Sequence, residues 1–315
     1  MSITNIKGNV RAFAPATVAN VGCAFDILGF ALEQPRDEVV ARFTTEAGLS
    51  ISAVHGDNGR LPHDPQKNTA SVAAQAFLTH IGERRGIALE VFKGLPLGSG
   101  LGSSAASAVA GVLAVNALFG SPLAKEDLLP FALAGEKVAC GSAHADNAAP
   151  ALFGGFVLIR SAQPLDLIKI AAPEELRCVV VHPHIEVKTE DARRLLQRQI
   201  TLADAVKQWG NIGGLIAGLY RADYELIGRS LEDGIIEPQR KLLVPGFDAV
   251  KRAALDAGAL GCSLSGSGPA IFALFAGDQQ VQDAAAAMRA AFKSVAIESS
   301  SIISRIACDG GGVLA

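Results

Sequence analysis

An α+β chain folded as two domains is what the sequence predicts, and three features carry that expectation. At 315 residues it is long enough for one large domain or two ordinary ones, and two is the expectation. Half of its residues are hydrophobic but only 5% are aromatic, an aliphatic, alanine-rich supply that suits helices packed on sheets better than a sandwich of aromatic-rich strands. Stretches that alternate like strands are also interleaved, through both halves, with stretches of helical period.

The elements follow from those periods. Asn9 to Ala14, Glu38 to Phe43 and Leu49 to Val54 alternate as strands. A polar, turn-rich loop from His55 to Asn68 then leads to a helix over Thr69 to Ile81. Ile87 to Lys93 is a half-buried strand that runs into a glycine-rich loop. A helix follows, N-capped by Ser103 or Ser104 and reaching about Phe119. A second helix starts at Lys125, and Phe153 to Arg160 alternates again. Pro, Ser and charge then mix over "SAQPLDLIKIAAPEE", which places a domain boundary near Ser161. The second half predicts a strand over Arg177 to His182 and a helix over Thr189 to Gln197, with further helices to about Arg229. A helix over Phe247 to Gly258 and a hairpin around Gly266 to Pro269 come next, then a helix over Gln279 to Phe292 and a strand over Ser294 to Ile306. This alternation fits an open sheet with helices on one face, as in ferredoxin-like domains.

Composition excludes several classes of function. A net charge of −3 with no Lys/Arg cluster argues against a nucleic-acid surface. The longest apolar run, Ala105 to Phe119, is broken by Ser107 and Asn116 and is shorter than the roughly 20 residues of a membrane span. It reads as a buried helix. Cys23, Cys140, Cys178, Cys262 and Cys308 are scattered and odd in number, as expected of reduced thiols in a cytoplasmic protein. "MSITNIKGNVRAF" carries no apolar core of a secretory signal.

Three constellations carry chemistry. "GLPLGSGLGSSAAS", Gly94 to Ser107, opens a stretch that stays free of charge to Ala124, and it stands between a strand and a helix. Small residues let backbone N–H groups and a helix N-terminus close on an anion, and a metal held by serine and carboxylate oxygens can stand in for the missing lysine. By itself the loop fits anion binding and a plain helix-opening turn equally well. "APATVANVGCAFDILGFAL", Ala14 to Leu32, has Asn20 and Asp26 as its strongly polar side chains, and alone it reads as a turn-making loop. "GEKVACGSAHADNAAPALFGGF" puts Glu136 on a helix and His144, Asp146 and Asn147 in a loop of small residues. This arrangement suits a metal and an oriented hydroxyl nucleophile as well as it suits a solvated Glu and an Asp-Asn turn. His182-Pro-His184 reads as a turn rather than a metal pair.

Together with "GCSLSGSGPAIFALF", Gly261 to Phe275, these motifs resemble the GHMP small-molecule kinases, most closely their homoserine-phosphorylating branch. The likeness spans the whole chain, and four motifs in this sequence are far more specific than any one of them. It implies a two-domain GHMP kinase fold. Residues 1–161 would form an ATP-binding domain like ribosomal protein S5 domain 2, and residues 162–315 a ferredoxin-like domain. It further implies ATP and Mg2+ as cofactors, L-homoserine as substrate and O-phospho-L-homoserine as product on the way to threonine. A cytoplasmic setting and a homodimer, which relatives often form, would follow.

Carried onto this chain, the resemblance assigns the triphosphate to Pro96, Gly98, Ser99, Gly100, Leu101, Gly102, Ser103, Ser104 and Ser107. Lys93 would add charge from the strand end, and Asn68 would lie at the adenine. Ser104 and Glu136 would hold Mg2+. The amino acid would meet Asn20, Asp26, His144, Asp146 and Asn147 from the first domain, and Thr189, Arg193 and Arg240 from the second. The arginines suit its carboxylate and Asp26 its ammonium, while Asp146 orients its hydroxyl. Mevalonate and galactose kinases carry a basic residue where this chain has Thr17, so a Lys–Asp pair for proton removal is absent here. A sister kinase of another small alcohol, or a nucleotide binder without chemistry, are the competing readings.

Overall fold

The computed structural model describes residues 8–141, 145–197 and 199–314. Its first sheet is built on a long antiparallel hairpin, β1 (Asn9–Val21) and β2 (Ala24–Thr44). The second strand serves two partners in turn. Its later part pairs with β4 (Gly86–Phe92) and its earlier part, Leu28 to Phe30, with β5 (Phe156–Ala162). Strand β3 (Leu49–His55) lies parallel to β4, and β6 (Leu165–Ile170) pairs with β5. Register shifts at Pro15/Thr17 and Ala19/Val21 bend the hairpin, the first at a residue that has no N–H for the ladder.

Helices α1 (Thr69–His80), α2 (Ser103–Leu118), α3 (Leu129–Cys140) and α4 (Ala145–Phe153) belong to this half. Because α2 is apolar all round, it is buried all round: it packs on β1 and β2 below and on α1 and α3 beside it. Its alanines and Gly111 allow that close approach, and the core between sheet and helices is accordingly aliphatic.

The second half holds a four-stranded antiparallel sheet of β7 (Leu176–Pro183), β8 (Gly261–Leu264), β9 (Ile271–Ala276) and β10 (Ser299–Arg305), ordered β10-β7-β9-β8. Helices α5 (Thr189–Arg194), α6 (Leu202–Arg221), α7 (Tyr224–Ser230), α8 (Glu237–Arg240) and α9 (Phe247–Asp256) fill the first crossover, and α10 (Val281–Ser294) fills the second. This is the β-α-β-β-α-β pattern of ferredoxin-like domains. A second core of Val179, Val181, Phe247, Met288 and Phe292 lies between the sheet and α9 and α10. The β8–β9 hairpin turns at Ser265 to Ala270, as the sequence predicts.

Several expectations need correction. "APATVANVGCAFDILGFAL" is a β-hairpin rather than a loop, because its glycine and proline mark a tight turn and a bulge within continuous pairing. Asp146 and Asn147 stand in the first turn of α4, not in a loop. Neither Ser103 nor Ser104 caps α2; the cap is Gly102 at φ +66°. The expected boundary at Ser161 falls within the β5–β6 hairpin, whose second strand extends the first sheet to Ile170. The final strand, β11 (Gly312–Leu314), returns to pair with β1.

Candidate active site

A cleft of about 500 Å³ runs along the junction of the two halves. One wall is the glycine-rich loop. Gly98, Gly100 and Gly102 all have positive φ while Ser99 and Leu101 between them do not, and such alternation turns successive N–H groups toward one side as an anion-binding nest. With no side-chain cap, α2 leaves its first N–H groups for a ligand as well. Two of these glycines are also fixed by packing. A Cβ on Gly100 would stand 2.4 Å from the Ser265 carbonyl oxygen, and one on Gly102 would stand 2.1 Å from Thr17 Oγ1.

Buried side chains hold the loop from beneath. Asp37 accepts from the N–H groups of Gly94 (2.9 Å) and Leu95 (3.1 Å) and from Ser107 Oγ (2.8 Å), and it pairs with Lys93. Lys93, its side chain 1% exposed, also donates to the Ser103 carbonyl (2.9 Å) and to Ser107 Oγ (2.7 Å). Its charge is therefore tied into the base of the loop. The β8–β9 turn grips the loop from the other half: Ser265 Oγ donates to the Gly100 carbonyl (2.7 Å) and the Ala270 N–H to that of Ser99 (3.1 Å). Asn68 Oδ1 caps α1 by accepting from the Ala70 N–H (3.1 Å).

Glu136, on α3, and Asp146 are each 2% exposed. Burial pushes the Glu136 carboxyl up to about 7, against the opposing pull of a hydrogen bond from Ser104 and of the Lys93 charge. Burial, then the nearby Asp26 charge, likewise raises Asp146 to about 7. Among the described residues, neither Glu136 Oε1 nor Ser103 Oγ has a hydrogen-bond partner, though both are buried. An orphaned carboxylate oxygen beside a serine hydroxyl suits a hard cation, since Mg2+ is held through one or two carboxylates and completed by substrate phosphates.

The far end of the cleft is built from charge. Arg193 Nη2 donates to both carboxylate oxygens of Asp26, at 2.9 Å each. Arg240, 3% exposed, donates through Nη1 to the Gly266 carbonyl (3.0 Å), which also accepts from Asn20 Nδ2 (2.9 Å). Asn20 Oδ1 in turn accepts from the Asp26 N–H (2.8 Å), and both residues have positive φ, 57° and 60°. That uncommon backbone aims the Asp26 carboxylate across the cleft. Asn147 Oδ1 accepts from Thr17 Oγ1 (2.8 Å), and the hydroxyls of Thr189 and Ser267 meet at 3.3 Å.

The cleft thus gathers Asn20, Asp26, Asn68, Lys93, Gly98, Ser99, Gly100, Gly102, Ser103, Ser104, Ser107, Glu136, Asp146, Asn147, Thr189, Arg193 and Arg240. Pro96 and Leu101 are not among the residues lining it: the exposed Pro96 accepts from Ser99 Oγ through its carbonyl, and the buried Leu101 accepts from the Thr17 N–H. His144 lies outside the described residues. Asp37 has no motif around it to draw attention in the sequence, and the same holds for Arg60 and Glu186, whose 2.7 Å ion pair bridges the two halves at the cleft rim.

The chain matches the family models for the GHMP kinases N terminal domain over residues 68–155 and the GHMP kinases C terminal domain over residues 215–294. It is 54% identical to the homoserine kinase of Chloroherpeton thalassium, covering 91% of this chain and 93% of that one. The crystal structure of the homoserine kinase from Cytophaga hutchinsonii superimposes with a TM-score of 0.96 at 53% identity, over 100% of both chains. The L. major mevalonate kinase, at 19% identity and a TM-score of 0.70 over 96% of this chain and 98% of that one, shares the fold.

Proposed function

The chain belongs to the homoserine kinases within the GHMP kinase family, and on that footing we propose how its cleft moves the γ-phosphoryl group of ATP to the side-chain hydroxyl of L-homoserine. The product is O-phospho-L-homoserine, an intermediate of threonine synthesis. The reading is carried by one juxtaposition: a neutral anion nest and an orphaned metal-binding oxygen share a cleft with a charge triad, Asp26, Arg193 and Arg240, complementary to an amino-acid zwitterion.

The triphosphate lies in the nest, against the start of α2. Ser104 and Glu136 are the residues to hold Mg2+, which when bound with ATP supplies the positive charge that offsets the developing negative charge on the transferred group. The L-homoserine ammonium takes the Asp26 carboxylate, and its carboxylate takes the guanidinium groups of Arg193 and Arg240. The hydroxyl then faces Asp146, which accepts its proton in a hydrogen bond and orients the oxygen. As that oxygen bonds to the γ-phosphorus, the bond to the bridging oxygen breaks, ADP departs and the hydroxyl proton is lost. An Asp raised to about 7 is suited to orient the hydroxyl and to receive that proton. Positioning and charge carry most of the catalysis through a loose transition state.

No helix among the described residues is long and apolar enough to cross a membrane, and the scattered free cysteines support a cytoplasmic setting. A homodimer agrees with the exposed apolar residues of α6, Leu202, Val206, Trp209 and Tyr220.

The test is ADP release from Mg-ATP with L-homoserine, L-threonine, L-serine, mevalonate, shikimate and galactose side by side, with the product mass recorded. L-Homoserine is expected to gain a phosphate with far higher kcat/KM than the rest. Turnover centred on another alcohol would retain the ATP half and overturn the roles given to Asp26, Arg193 and Arg240.

A further inference from the structure

Phe25 directly precedes Asp26 on β2, is half-buried, and stands outside both apolar cores. Its ring instead carries two guanidinium groups: Cζ of Arg240 lies 4.8 Å from the ring centroid and Cζ of Arg193 lies 5.6 Å from it. The two arginines come from different helices, α5 and α8. Like charges brought this close repel, and burial removes the water that would screen them. Arg193 is ion-paired with the Asp26 carboxylate, whereas Arg240 donates its Nη1 hydrogen bond to a neutral carbonyl, that of Gly266, and Asp26 attracts it through space. The electron-rich face of an aromatic ring attracts a guanidinium and orients its plane.

We propose that Phe25 is a positioning residue of the amino-acid subsite: its ring holds Arg193 and Arg240 side by side in the register that reads the α-carboxylate of the substrate. This rests on the assignment of those arginines to the L-homoserine carboxylate. The burial of Arg240 and, to a lesser degree, the nearness of Arg193, which bring the Arg240 guanidinium down to about 10, are the strains that the ring offsets. One short segment, Phe25-Asp26, thereby supplies two attractions that act on both arginines: a carboxylate charge and a π face.

Steady-state kinetics on Phe25→Leu, Phe25→Tyr and Arg240→Gln test this, with L-homoserine and Mg-ATP varied separately. Phe25→Leu keeps apolar bulk and removes the π face. It is expected to raise the KM for L-homoserine about ten-fold while kcat and the KM for ATP stay within about two-fold of the parent. Phe25→Tyr keeps the ring and is expected to restore the parent KM. Turnover of L-homoserinol, in which a CH2OH group replaces the carboxylate, is expected to be insensitive to Phe25→Leu. A parent-like KM in Phe25→Leu overturns the proposal, as does an equal KM rise in the Leu and Tyr variants accompanied by a lowered Tm, which is the mark of packing alone. If Arg240→Gln leaves the KM unchanged, the carboxylate assignment itself fails; if Arg240→Gln raises it and Phe25→Leu does not, only the role of the ring fails.

Discussion

The two ends of the cleft recognise their ligands by opposite means. At the phosphate end the donors are backbone N–H groups, set by alternating φ signs and by the start of α2, with Lys93 tied to Asp37 and turned to structural use. At the amino-acid end the donors and acceptors are charged side chains, brought from β2, α5 and α8 and paired with one another across the gap. A backbone site is rigid and indifferent to what the phosphates are attached to. A side-chain site is selective, because each charge must find its counterpart on the substrate.

Removing the bridge between these ends produces the largest effect. Glu136→Ala is expected to lower kcat by at least about 10²-fold and to abolish the response of turnover to added Mg2+, with the circular dichroism spectrum unchanged. A fully active variant would sink the metal assignment. Next comes the backbone end, where Gly100→Ala forces a Cβ against the Ser265 and Gly268 carbonyls at a φ of +81°. The expected cost is about 3 kcal/mol, read as a lowered Tm, and the KM for ATP should rise far more than that for L-homoserine. An equal rise in both would mean that the two ends are not separable.

The smallest effect sharpens the point where the ends meet. Asp146 orients the hydroxyl as a carboxylate, and its pKa stands at about 7. Hence kcat/KM for L-homoserine should climb as pH rises from 6 to 8, and Asp146→Asn should lower it throughout, leaving only the rise that Glu136, also near 7, contributes. The stability sign is the reverse. A buried carboxyl raised above its ordinary 3.8 favours the folded protein at low pH, and that advantage is lost as pH climbs from about 4 through about 7. Asp146→Asn should therefore melt no lower than the parent at pH 8, which calorimetry can check.

The same contrast explains what the sequence makes legible. The phosphate loop is visible because only glycine tolerates every second position of the nest, so chemistry and spelling coincide there. The ferredoxin-like half is visible because α9 and α10 each turn one buried face onto a sheet of short apolar strands. The hairpin at Ala14 to Leu32 is hidden because its bulges break the alternation that marks a strand, and β6 because Pro164 and mixed charge surround it. The amino-acid end is hidden altogether in local terms. Asp26, Arg193 and Arg240 lie far apart in the chain, and only their resemblance to a family brings them together before the fold does. Asp37 and Phe25 meet other side chains rather than line the cleft, and so leave no signature beyond being an ordinary Asp and an ordinary Phe.

The return of the chain to its first sheet bears on how the protein is made. Residues 306–314 bridge β2 through Leu32 and Ala31, accept from the Gly155 N–H, donate to the Ala151 carbonyl of α4 and close the outer edge of β1. During synthesis the nucleotide loop is translated some two hundred residues before this clasp. Until then the edge of β1 is unpaired and the helix that carries Asp146 lacks its buttress. The β8–β9 turn that grips the phosphate loop and the strand that buttresses α4 both arrive late, so nucleotide loop and acceptor side are completed only after the second half has been made.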